Sequence, residues 1–307
     1  MIPLEEIHNA RERLRGDVLR TPLVRFDDRI WLKLECLQPT GSFKLRGALS
    51  AIRGASSSEL AHGVVTASAG NMAQGVAWAA REAGIHARIV APENAPRAKL
   101  DRVEELGGEV ILVSHEVWWQ TMVDRRYEGV DGLFVHPVED EAVMAGNGTI
   151  GLELVEELDD FDTVVIPWGG GGLTTGIASA VKALRPEVRI VTAEPATAAP
   201  LAASLAAGAP TEIDYRPSFV DGAGGRALLP TMWARAQELV DKAVAVPIDE
   251  AAAAVRLLAS RARVVAEGAG ALALAAALRG DAGAGTVVCI VSGGNIDAAV
   301  LARILLE

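Results

Sequence analysis

Two rhythms of apolar and polar positions alternate along the chain. Short runs that are apolar nearly throughout recur as "HGVVTASA", "HARIVAP", "EVILVS", "GLFVHP", "DTVVIPW", "VRIVTAEP" and "TVVCIVSG". Each has the length of a strand. Between them lie longer stretches with helical spacing: "NMAQGVAWAAREAG", ended by Gly84, then "APRAKLDRVEELGG", "HEVWWQTMVDRRYE", a long helix near "GNGTIGLELVEEL", "GLTTGIASAVKAL" and "AAPLAASLAAG". The opening "PLEEIHNARERLR" predicts a helix started by Pro3 with acids in its first turn, and "RIWLKLEC" predicts an alternating strand. Further on, "DEAAAAVRLLASRAR" and "AGALALAAAL" predict two more helices. Uniformly apolar strands separated by helices imply parallel sheets covered on both faces. The pattern therefore predicts an α/β protein of two doubly wound lobes, without repeats, low-complexity tails or a long linker.

Composition narrows the partners. The 307 residues suffice for about two domains, and half are hydrophobic. A net charge of −11 with acids and bases intermixed speaks against nucleic acid and against an anionic membrane surface. No apolar run reaches the roughly 18 residues of a membrane span, and the first residues lack the apolar core of a secretory signal. Cys36 and Cys289 sit in apolar contexts outside any CxxC pair, which predicts buried free thiols. Histidines are scattered, so no zinc-type cluster is expected. These features predict a cytoplasmic protein of a reducing compartment.

Lysine is the unusual residue. Only Lys33, Lys44, Lys99, Lys182 and Lys242 stand among 29 basic residues. A guanidinium does not form an imine under ordinary conditions, whereas a desolvated lysine does. Lys44 lies in "PTGSFKLRGA", after a Gly-Ser turn and between Phe43 and Leu45.

Three further motifs stand at predicted strand ends, where open α/β sheets bind ligands. In "WGGGGLTTG", Trp168 to Gly176, four glycines open a helix. Such a run carries an entropic penalty that a plain turn rarely requires, and it lets backbone amides approach an anion, most naturally a phosphate. It lacks the Lys-Ser/Thr ending of a P-loop and the spacing of the dinucleotide fingerprint. The stretch "SAGNMAQG", Ser68 to Gly75, offers the Ser68 and Asn71 side chains with backbone donors, suited to a carboxylate or phenol oxygen. A helix cap by Ser68 is the plainer alternative. "SGGN", Ser292 to Asn295, is a third loop of this kind or a ligand-free turn.

Taken together, in this chain order, the motifs resemble the serine/threonine dehydratase family of pyridoxal-phosphate enzymes of fold type II. "RTPLV", "WLKLECLQPTGSFKLRGA", "SAGNMAQGVA", "GNGTIGLEL", "GGGGLTTGIA", "AEP" and "VSGGN" carry the resemblance across nearly the whole chain. It implies a large cofactor-binding domain of residues 1–47 plus 140–307 and a small substrate-side domain of residues 48–139. It also implies that Lys44 carries pyridoxal 5'-phosphate through an imine and then acts as a base, with Phe43 packed near the cofactor. Gly169, Gly170, Gly171, Gly172 and Leu173 would hold the phosphate through their amides. Asn71 would bond the ring hydroxyl, and Ser292 would face the pyridine nitrogen. Ser68, with Ala69, Gly70, Asn71 and Met72, would hold the substrate carboxylate. A hydroxyl at Ser292 makes a weaker electron sink than a carboxylate partner would, which favours expulsion of a β-substituent. The implied activity is an ammonia-lyase converting a small L-β-hydroxy amino acid such as threonine or serine to a 2-oxo acid and ammonia, in a homodimer. Alternatives are a related lyase acting on 3-hydroxyaspartate or a diamino acid, and a non-catalytic pyridoxal-phosphate-binding protein.

Several positions depart from the family pattern. Met72 replaces the usual histidine after the asparagine. Ala69 stands where serine racemases of the family carry a second serine base, so racemisation is not expected. Glu194 is a possible cation ligand, but its usual acidic companion six residues on is Pro200, so no metal is assigned. Gly268 replaces a proline, Trp168 precedes the glycines, and Asp221 in "SFVDGAGG" reads as structural. The chain ends soon after the Ser292 motif, the pattern of a degradative enzyme without a feedback domain.

Overall fold

The computed structural model describes residues 1–307. Its first elements are α1 (Leu4–Leu14), β1 (Leu23–Arg25), β2 (Ile30–Lys33), α2 (Lys44–Gly54), β3 (Val64–Ala67), α3 (Asn71–Ala83), β4 (Ala87–Pro92), α4 (Arg97–Glu105), β5 (Gly108–Val113), α5 (His115–Asp124) and β6 (Leu133–Phe134). There follow α6 (Glu141–Glu157), β7 (Thr163–Pro167), α7 (Gly172–Leu184), β8 (Arg189–Pro195), α8 (Pro200–Ala207), α9 (Pro230–Leu239), β9 (Lys242–Val246), α10 (Ile248–Leu257), α11 (Gly268–Leu278), β10 (Val287–Ile290) and α12 (Ala298–Leu306). A π-helical turn, Leu258–Ala262, extends α10 and stops where Arg263 takes a left-handed φ of 61°.

Two sheets result. The larger runs β1-β2-β10-β7-β8-β9 and the smaller β5-β4-β3-β6. Every pairing is parallel except β1 with β2. Cys289 on β10 stands opposite Leu32 of β2 on one side and Val165 of β7 on the other. All residues of β7 and β10 are buried, since helices cover both faces of this sheet centre; hence their unbroken apolar runs. Helix α11 is apolar all round because it is enclosed, packing on β7, β8, β10 and α10. Both thiols are buried and unpaired.

Where the structure differs from the pattern, the cause is local. "GLFVHP" yields a strand of two residues: the Val135 N–H still bonds the Val65 carbonyl at 2.8 Å, but Pro137 has no N–H to extend the ladder. Asp140 then starts α6 by accepting the Ala142 and Val143 N–H groups, so that helix begins ahead of its glycines. Strand β9 escapes the apolar-run criterion because it is an edge, pairing only with β8 and exposing Ala245. Helices α9 and α12 likewise lie outside the elements that the pattern predicts.

The chain crosses from the large sheet to the small one between β2 and β3, and returns between β6 and β7. A buried ionic network fixes the first crossing. Arg46, 1% exposed, donates to Glu35 at 2.8 Å and to Glu153 at 2.6 Å. Lys33, fully enclosed on β2, reaches Glu153 at 2.7 Å, Glu157 at 3.0 Å and the Thr21 carbonyl at 2.7 Å. Each buried charge has an opposite partner, as removal from water demands. Helix α2 is thereby pinned between β2 and α6, and its first residue is Lys44.

Candidate active site

Helix α2 begins at the C-terminal end of the large sheet. The Phe43 N–H bonds the Ser292 carbonyl at 3.0 Å, and Ser42 bridges to Gly293. These contacts seat Lys44 beside the end of β10. Its Nζ donates to the Pro137 carbonyl at 2.7 Å and lies 5.2 Å from the centre of the Phe43 ring. Lys44 enters no ion pair. Burial pulls its ammonium down to about 8, and the more distant Glu267 offsets this only in part. A carbonyl favours the charged form far less than a carboxylate would.

The glycine run joins β7 to α7. Gly171 caps the helix at φ 97°, a conformation that disfavours any side chain. A methyl on Gly170 would collide with the Val138 side chain, so the loop rests directly on the second crossing. The first bond within α7 runs from the Thr175 N–H to the Gly171 carbonyl, with no side-chain cap. The N–H groups of Gly172, Leu173 and Thr174 thus have no helical acceptor. The Leu173 side chain is buried in the cluster that holds Phe43. Trp168 is 1% exposed and packs with Leu201 and Ala236, beneath the loop rather than over it.

Helix α3 opens in the same way. Its N-cap is Gly70, without a side-chain bond, and the Gln74 N–H donates to the Gly70 carbonyl. Ser68 is not the cap; its Oγ accepts the Gly70 N–H at 3.3 Å. Ser68, Ala69 and Gly70 remain partly exposed. Met72 does not face them. Its side chain is 2% exposed in the core of the smaller sheet with Leu45, Leu49 and Val76, so only its backbone borders the site.

Asn71 links the two sheets. Its Nδ2 donates to Glu267 Oε1 at 2.7 Å, and its Oδ1 accepts from Asn295 Nδ2 at 2.7 Å. Asn295 also donates to the Thr40 carbonyl at 2.8 Å. Burial pushes the Glu267 carboxyl up to about 7, against the Asn71 bond that lowers it. Ser292, 3% exposed, closes the ring of loops beyond β10.

Glu194 is elsewhere engaged. Its two oxygens accept the Leu201 N–H at 3.0 Å and the Ala202 N–H at 2.8 Å, which caps α8. No group of three or more His, Cys, Asp or Glu side chains could hold a metal ion. Asp221 pairs with Lys99 at 2.5 Å and so ties the loop after α8 to α4. Glu267 and His136 carry no mark in the sequence. The first stands beside the noted Gly268, and the second lies inside a predicted strand; only contacts across the chain single out either one.

Lys44, the glycine loop, the start of α3 and the end of β10 are therefore linked where the two sheets adjoin, in the architecture of type II pyridoxal-phosphate enzymes. The chain belongs to the family described as "Pyridoxal-phosphate dependent enzyme", whose model matches residues 14–293. It is 41% identical to the L-threonine ammonia-lyase of Thermotoga maritima over 99% of this chain and 78% of that protein. Identity to the L-threonine ammonia-lyase of Geobacter sulfurreducens is 40%, over 97% of this chain and 76% of that one. Among solved structures, the processed form of threonine deaminase isoform 2 from Solanum lycopersicum superposes with a TM-score of 0.85 at 32% identity, covering 98% of this chain and 92% of that chain. Maize serine racemase superposes at 0.89 with 33% identity, covering 99% and 96%. No helix is long and apolar enough to cross a membrane.

Pyridoxal phosphate is thus the cofactor, and the donor set fits it. The cleft offers an amine without a carboxylate partner, a glycine-capped helix N-terminus for a phosphate, and neutral polar groups for a ring.

Proposed function

We propose that this chain is an ammonia-lyase that eliminates water from L-threonine or L-serine, giving a 2-oxo acid and ammonia. The observation that carries the reading is the partner set of Lys44: a partly buried amine whose only hydrogen-bond acceptor is the Pro137 carbonyl, next to the Val138 that bears the glycine loop. Pyridoxal phosphate, when bound, supplies the electron sink that makes the Cα proton removable and the β-hydroxyl expellable.

The chain's own residues do the rest. Lys44 would hold the cofactor through its amine and would serve as the base for the Cα proton. An amine near 8 is uncharged in a useful fraction at neutral pH, as a base must be. The amides of Gly169 to Leu173 would hold the phosphate at the start of α7. Asn71 spends one Nδ2 hydrogen on Glu267 and keeps the other for the ring hydroxyl. Ser292 would be the neutral partner of the pyridine nitrogen, and Phe43 would pack against the cofactor. Ser68 and the amides of Ala69 to Met72 hold the substrate carboxylate at the uncapped start of α3. Ala69 offers no hydroxyl to the opposite face of Cα, which favours elimination over racemisation.

The same reading assigns residues 1–47 and 140–307 to a cofactor-binding domain and residues 48–139 to a substrate-side domain, divided at the two crossings. A homodimer in the cytoplasm accords with it; sedimentation of the purified enzyme tests the first point. The main test is 2-oxo acid release from L-threonine, L-serine and threo-3-hydroxyaspartate, side by side, with added pyridoxal phosphate. Rapid 2-oxobutyrate from threonine is expected. Cofactor absorbance with silence on all three substrates would overturn the reading.

A further inference from the structure

We infer that His136 is a positioning residue for Lys44: its imidazole folds the second crossing so that the Pro137 carbonyl meets the Lys44 amine and Val138 bears the glycine loop. This rests on the reading of Lys44 given above.

The geometry is specific. His136 is 2% exposed, and its Nδ1 accepts two backbone N–H groups, Val138 at 3.1 Å and Glu139 at 2.8 Å. Proline between them has no N–H, so the two amides that follow it are the nearest donors. Gathering both onto one nitrogen forces a tight turn with Pro137 at its apex. The apex carbonyl takes the Lys44 Nζ at 2.7 Å. The next residue, Val138, lies against Gly170 and Gly172. One imidazole therefore holds both the acceptor of the amine and the floor of the proposed phosphate loop.

The ring must be neutral to do this, because Nδ1 needs its lone pair for the amides. Its Nε2 lies 3.6 Å from Glu139 Oε2, which puts the single proton there. Burial keeps the ring neutral, its basicity pushed down to about 4.

The residue does not touch the reacting atoms. Its effect runs through the freed Lys44 amine: with the carbonyl in place, the amine returns to one position between release and proton abstraction. Without it, the amine samples the cleft.

Two variants test this. His136→Leu removes the acceptor, whereas His136→Asn keeps an oxygen near the Nδ1 position. Hydrogen exchange at the Val138 and Glu139 amides, measured in cofactor-free protein, reads the turn directly. The rate at which added pyridoxal phosphate gains its protein-bound absorbance reads the amine. Steady-state kinetics on L-threonine separates kcat from KM. In His136→Leu both amides should lose protection, cofactor capture should slow roughly tenfold to a hundredfold, and kcat should fall with KM little changed. His136→Asn should recover most of each loss. Wild-type capture and kcat in His136→Leu, or equal damage in both variants, would overturn the inference. A wild-type chain that captures no cofactor would instead overturn the reading of Lys44 on which it stands.

Discussion

Lys33 is enclosed by protein and Lys44 is partly buried, and their surroundings give them opposite uses. Lys33 meets two carboxylates and a carbonyl within 3.0 Å, inside a network that also neutralises Arg46. Lys44, on the other side of the same crossing, has a carbonyl alone. Removing a charge from water is tolerable at the first site because the opposite charge is already there. At the second the missing carboxylate leaves the ammonium disfavoured, so more of the amine is unprotonated and free to act as nucleophile or proton acceptor. The contrast teaches that a lysine's chemistry is set by what is withheld from it as much as by burial.

The sharpest way to break the comparison is substitution of both lysines. Lys44→Ala should abolish the protein-bound cofactor absorbance and lower 2-oxo acid release on the order of 10⁴-fold, since both anchor and base are lost. Full turnover in that variant would sink the assignment. Arg46→Met should keep turnover per folded molecule but destabilise the chain by roughly 3–5 kcal/mol, because Glu35 stays buried without its cation. Lys33→Met should cost less, because Glu153 keeps Arg46 and Glu157 keeps Arg20. Burial alone would push the Glu35 carboxyl up; Arg46, Thr21 and Lys33 more than offset it and hold it low. That part of the stability is present above the ordinary carboxylate range and lost as pH falls through the depressed value. Urea melts at pH 6 and pH 3 measure it.

A smaller effect has the reverse sign. A lysine held at about 8 disfavours its own folded, protonated form. Lys44→Met should therefore stabilise cofactor-free protein by roughly 1–3 kcal/mol at pH 6 to 7. The gain fades as pH rises from about 8 toward the ordinary lysine range. Thermal melts of apoprotein across that range check it, and a loss of stability at pH 7 would contradict the account. Glu267 behaves alike with the opposite charge. Its raised carboxyl contributes stability below the ordinary range that disappears as pH climbs through about 7. Glu267→Gln keeps the acceptor for Asn71 and should spare up to roughly 3 kcal/mol of the loss between pH 5 and 8. The mildest prediction concerns Met72→Leu: under about 1.5 kcal/mol in stability, and an unchanged ratio of kcat/KM for threonine over serine.

Much of the site was legible because its signals are local. Four glycines, a Ser-Ala-Gly-Asn turn and a lysine after Gly-Ser each announce a backbone conformation or a chemistry from a few neighbouring residues. The strands of both sheet centres were legible for a similar reason, since enclosure on two faces leaves an unbroken apolar run. Glu267 and His136 were not marked in this way. Asn71 and Glu267 meet across 196 positions, and Lys44 and Pro137 across 93. Side-chain direction was the other blind spot. Met72 and Trp168 sit within binding motifs, yet helix and strand geometry turn both away into the core.

The strand order carries a consequence for biosynthesis. On the ribosome the four strands of the small sheet are all made once residue 134 has emerged, so that sheet can close early. Strand β2, made before any of them, waits for β10, whose Val287 pairs with Ile30. At translation rates of about 5 to 20 residues per second, the wait from the end of the small sheet is roughly 10 to 30 s. Throughout that interval "IWLKLEC" has no partner on one flank. The nascent large sheet is thus the stretch that stays open longest during synthesis, and the small lobe is the first part of the enzyme to exist.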